Sequence, residues 1–133
     1  MDAWDGWPFA RVYMLLVALA FLVIGLQVLL FHWRAGFRSP TMYGPVLLAP
    51  VLVLSGVVGA FLRDGLIGWL VLAVFALGIV DGLIGVFEHL RGIAHRIGGF
   101  SLRNLMSGPP PLLPVAFMAL ALTGALALLW EAL

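Results

Sequence analysis

The chain has 133 residues, of which 64% are hydrophobic and 10% charged, with a formal net charge of +1. Charge at that level is far below the roughly 25% of ordinary globular domains and argues against a soluble fold, and the near-neutral balance argues against a nucleic-acid partner. Cysteine is absent, which removes disulfides, thiolate metal sites, iron–sulfur clusters and thiol nucleophiles.

Four apolar runs cover about residues 12–31, 46–62, 66–87 and 115–129, the last extended if 112–114 belong to it. Runs of this kind are long enough to cross about 30 Å of hydrocarbon. None carries the polar outer face that a helix needs in a soluble bundle. The expected fold is an all-α integral membrane protein with four transmembrane helices, a single membrane domain over residues 1–133. Asp2 and Asp5 precede the first run, which is also too long for a cleavable signal. Only Arg63-Asp64-Gly65 separates the second run from the third, so those helices must be antiparallel neighbours.

Two stretches resemble one another. His32-Trp33-Arg34-Ala35-Gly36-Phe37 is followed by Met42, Gly44-Pro45, Leu48 and Pro50. His95-Arg96-Ile97-Gly98-Gly99-Phe100 is followed by Met106, Gly108-Pro109, Leu112 and Pro114. The spacing agrees apart from one inserted residue, which predicts a tandem 2+2 repeat: about residues 12–62, then about 66–131. Copies with an even number of spans keep the same orientation, so their pseudo-two-fold axis should follow the membrane normal. Gly-Phe reads as a helix C-cap with an apolar contact after it, and Gly-Pro as a helix start. Pro50 and Pro114 are expected to kink their helices at equivalent depths.

Arginine is distributed unevenly. Arg34, Arg38, Arg91, Arg96 and Arg103 flank the two repeat loops, whereas Arg11 and Arg63 lie at the other end. The excess of positive charge predicts cytoplasmic repeat loops and both termini outside, which in a bacterial inner membrane is the periplasm. Trp4, Trp7, Trp69 and Trp130 then mark the outer boundary, and Trp33 and Tyr43 the inner one.

The third run carries the unusual residues. Gly78, Asp81, Gly85, Glu88, Gly92 and His95 recur at three- or four-residue steps and share one helical face, with Gly82 and His89 at its edge. A carboxylate at bilayer depth costs at least ~2.5 kcal/mol unless it is paired, protonated or wetted, so this face must meet protein or a cavity. In the structural account Gly78, Gly82 and Gly85 allow close helix packing, Asp81 bonds Gln27, and Glu88 pairs with Arg91 or Arg34. In the functional account Asp81 lines a proton or ion path or approaches a cofactor. His32 and His95 would ligate one haem axially if the repeat axis brought them together. Glu88, His89 and His95 form an alternative metal set. Against both, a histidine at a helix C-terminus also serves simply as a favourable charge there. Asn104 has no counterpart in the first copy and is a candidate for polar contact with a ligand.

No hydrolase triad, HExxH or phosphate loop is present, and no complete catalytic set emerges. Three functions fit. The first is an accessory or anchor subunit, burying its glycine face against a larger membrane complex or a second copy. Another is a haem- or metal-binding redox protein using His32 and His95. The third is a small ion or proton channel or transporter with Asp81 in the path.

Overall fold

The computed structural model describes residues 8–130. Trp4, Trp7, Asp2 and Asp5 lie outside the described residues. The described chain is all-helical: α1 (Phe9–Arg34), α2 (Tyr43–Phe61), α3 (Gly65–Gly92), the short α4 (Leu102–Ser107) and α5 (Leu112–Leu129). A 3-10 turn (Pro40–Met42) leads into α2, and a π turn (Ile93–Ile97) continues α3. Four of these elements are long and apolar enough to cross a membrane.

The four long helices form a ring in which α1 lies beside α2, α2 beside α3, α3 beside α5, and α5 beside α1. The broadest interfaces are α1 with α2 and α3 with α5. Phe21, Phe75 and Phe117 are fully buried at the centre with Met14, Val17 and Leu52. Phe21 meets Phe117 edge-on at 5.1 Å and Phe75 at 6.4 Å. Leucines such as Leu22, Leu54, Leu70, Leu83 and Leu122 stay exposed around the ring, an arrangement that water would penalise and lipid does not. Trp33, Trp69, Trp130 and Tyr43 are exposed near the helix ends, where amphipathic rings sit well.

The glycine face of α3 packs inside the chain, against α5. A Cβ built on Gly78 would meet that of Ala121 at 3.0 Å, one on Gly82 would meet Met118 at 2.6 Å, and one on Gly85 would meet Pro114 at 2.8 Å. These residues therefore pack within one copy of the chain and do not form an open face.

The first repeat loop ends α1 as its sequence implies. Gly36 has φ 72°, its amide donates to the Trp33 carbonyl, and the Phe37 amide donates to that of His32. This is the paired closure in which glycine takes the left-handed position. Phe37 then stacks on Tyr43 at 4.6 Å. The second loop differs. The π turn ends at Gly98 and Gly99, with φ 106° and 102°, and Gly99 donates to the Ile93 carbonyl. Gly44-Pro45 lies in the first turn of α2, but Gly108-Pro109 sits between α4 and α5. Pro50 lies inside α2, while Pro114 falls in the first turn of α5. There a missing amide leaves no hydrogen bond unmade, so the two prolines do not occupy equivalent positions.

Candidate functional site

A small cavity, mostly apolar but lined also by several titratable side chains, lies toward the end of the bundle that carries the repeat loops. α3 has 28 residues, about 42 Å of helix, and Asp81 falls about 24 Å from its start. A hydrocarbon layer of about 30 Å that began at the first turn of α3 would include Asp81 and end short of Glu88, about 35 Å along. The sequence places both carboxylates on the face of α3 that turns into the bundle, because the glycines sharing that face pack on α5.

The inner cavity has a volume of about 60 Å³, enough for a small number of waters. α3 contributes Asp81, Gly82, Gly85, Glu88 and His89 to its wall; α1 contributes Val28 and His32; and Thr41, Met42 and Pro45 come from the entry to α2. Leu113, Pro114 and Phe117 close it from α5. Phe117, held edge-on by Phe21, is its floor. His32, Thr41, Met42, Glu88, His89 and Leu113 also line a larger vestibule of about 410 Å³ outside it. The two spaces adjoin, and Asp81 lines the inner one.

The carboxyl group of Asp81 rests against Gly44 in the first turn of α2, where a Cβ would collide with its Oδ1. That position faces the positive end of the α2 dipole. Oδ2 of Asp81 is buried with no hydrogen-bond partner, and so is Nδ1 of His32. Both side chains line the same small cavity, while these two atoms are themselves buried. His89 is fixed from its other side, with Nδ1 2.8 Å from the Pro110 carbonyl oxygen. A carbonyl only accepts, so Nδ1 carries the proton and the neutral ring keeps its lone pair on Nε2. Glu88 is held loosely by Arg91, with 3.8 Å between Arg91 Nη1 and Glu88 Oε1.

Other sequence candidates lie elsewhere. His95 is exposed and lines a separate surface recess with Glu88, Arg91 and Arg96. His95 lies within the π turn beyond the end of α3, and His32 shares its cavity with His89 and not with His95. Among the described residues no three of His, Cys, Asp and Glu come together as a metal-ligand group, and this includes Glu88, His89 and His95. Asn104 donates its amide to the Gly99 carbonyl at 2.7 Å, and its own N–H donates to Ser101 Oγ at 3.1 Å. That fastens the loop to the start of α4 and accounts for its polarity without a ligand. Gln27 is exposed on α1 and does not line the Asp81 cavity.

The sequence reading did not anticipate Gly44 beneath Asp81, the Pro110 carbonyl behind His89, or Thr41 and Met42 in the wall. Only the helix pairing reveals these contacts. The fold and site together define a chain with four helices long and apolar enough to span a membrane and an acidic side chain that lines a small cavity between them. No family model matches the chain, and no curated protein or solved structure is significantly similar to it.

Proposed function

We propose that the protein is a small polytopic membrane protein that takes a proton or small cation from the loop side onto Asp81, as part of an ion or proton path. The observation that carries this reading is an Asp81 carboxylate oxygen that is buried without a hydrogen-bond partner, on a side chain that lines a small cavity adjoining the larger vestibule. An isolated carboxylate at that depth is stabilised by taking a proton, a cation or water. His32, His89 and Glu88 line the approach, and the free Nε2 of His89 is suited to accept and pass on a proton. Passage to the far side requires the Phe21–Phe117 layer to open. The test is proton and cation flux in liposomes of the purified protein: wild type should exceed empty liposomes, and Asp81→Asn should fall to the empty level. Flux retained in Asp81→Asn, or none in wild type across a broad ion panel, would contradict it.

In this proposal the chain is a tandem 2+2 repeat in an inner membrane, with cytoplasmic repeat loops and periplasmic termini. The ring order supports it, because a two-fold along the membrane normal would exchange α1 with α3 and α2 with α5. The arginine bias supports the orientation. A second reading, an accessory subunit or homo-oligomer, is favoured by Gln27. Its amide is exposed on α1 beside Leu26 and Leu30, and a partner helix would satisfy it. Gln27→Leu should then shift the chain toward monomer in mild detergent, and an unchanged size distribution would count against that reading.

A further inference from the structure

The outer vestibule has features that a path to Asp81 does not need. Its walls are half apolar: Phe31, Ile97, Pro109, Pro110 and Leu113. Two arginines line it, Arg38 from the α1–α2 loop and Arg96 from the π turn, with Ser39 and Thr41 between α1 and α2. The Ser39 and Thr41 hydroxyls are 2.8 Å apart. The Arg96 guanidinium lies over Gly92, so that a Cβ there would be 2.8 Å from Nη2.

The charge around this space is strongly one-sided. Among the described residues, Glu88 is the one carboxylate in the segments around the two repeat loops, which also hold Arg34, Arg38, Arg91, Arg96 and Arg103. Glu88 has Arg91 beside it. Among the described residues, no carboxylate forms an ion pair with Arg38 or Arg96. His32 and His89 also face the vestibule, and in either protonation state they add no negative charge. A guanidinium is well suited to the planar, bidentate recognition of an oxyanion. The site lies at the level of the helix ends, where lipid headgroups sit.

We propose that this vestibule binds the headgroup of an anionic phospholipid, with its phosphate between Arg38 and Arg96 and the start of its acyl chains along Phe31, Ile97 and Leu113. The shared chemistry is an oxyanion. The apolar wall distinguishes a lipid from free phosphate, since a free ion gains nothing from it. At about 410 Å³ the space falls within the range of small-ligand pockets. The proposal goes beyond the ion path and does not depend on Asp81, so either can fail without the other.

The experiment is native mass spectrometry of the full chain from detergent, with phosphatidylglycerol and phosphatidylcholine of the same acyl composition in competition. Phosphatidylglycerol should be retained preferentially, and Arg38→Ala/Arg96→Ala should weaken that retention by about tenfold or more. Arg103→Ala, outside the vestibule, should leave it unchanged. Thermal unfolding in phosphatidylcholine micelles, equal for the double variant and wild type, separates loss of binding from loss of fold. Equal retention of the two lipids, an unaffected folded double variant, or an equal loss in Arg103→Ala would overturn the proposal. Displacement of the lipid by inorganic phosphate at equimolar concentration would also overturn it, because the anion alone would then be the ligand.

Discussion

Of the α3 glycines that face α5, Gly82 has the least room. A Cβ there would stand 2.6 Å from the Met118 Cβ and 2.9 Å from both the Met118 Cα and backbone N. Ordinary carbon contacts lie at about 3.5–4.0 Å, so α3 and α5 would have to part by about 1 Å. Two of those neighbours are backbone atoms and cannot swing aside. Overpacking of this kind costs about 1–3 kcal/mol, and the better helix propensity of alanine returns at most about 1 kcal/mol. Gly82→Ala should therefore lose about 1–2 kcal/mol, and Gly82→Leu more. The assay is reversible unfolding in mixed micelles followed by circular dichroism. Ala76→Leu, exposed on the same helix, should stay within about 0.5 kcal/mol of wild type. A Gly82→Ala protein as stable as wild type would refute the close α3–α5 approach.

Gly59→Ala gives the opposite expectation. Its nearest neighbour, at 2.6 Å, is the terminal Cε of Met14, a flexible end, so its loss should be smaller than that of Gly82→Ala in the same assay. Gly44→Ala should destabilise wild type by displacing the Asp81 carboxylate, and less so in an Asp81→Ala background. A double-mutant cycle should return a coupling of about 0.5–3 kcal/mol, and strict additivity would show that the two residues do not touch. His89→Ala removes the hydrogen bond to Pro110 and should cost about 1 kcal/mol, read from the same unfolding midpoints. Asp81→Asn removes an unpartnered carboxylate and should leave the chain at least as stable as wild type while abolishing ion uptake. A large loss of stability would mean Asp81 has a structural role.

Much of the architecture was legible because lipid imposes a simple rule on sequence. Each run of apolar residues became a helix, with ends shifted by a few residues, as where α3 runs on past Phe87 to Gly92 and α5 begins at Leu112. The shared face of Gly78, Asp81 and Gly85 was also readable, since helical periodicity fixes which residues of one helix point together. What periodicity does not fix is which neighbour that face meets. The sequence left the glycine face open for a partner, but α5 fills it, because Pro114, Met118 and Ala121 present small or backbone-close surfaces at the same spacing. The repeat motif equated His32 with His95. His95 lies within the π turn beyond the end of α3, and His89 takes its place beside His32. Likewise Asn104 was a candidate for ligand contact as a departure from the repeat, and its amide donates to the Gly99 carbonyl.

The central claim is that Asp81 takes up a proton from the loop side. Infrared difference spectroscopy of the reconstituted protein on acidification tests it directly, by the carboxylic-acid carbonyl band. A component present in wild type, absent in Asp81→Asn and retained in Glu88→Gln is the predicted result. A spectrum unchanged by Asp81→Asn would contradict it, as would a component lost only in Glu88→Gln.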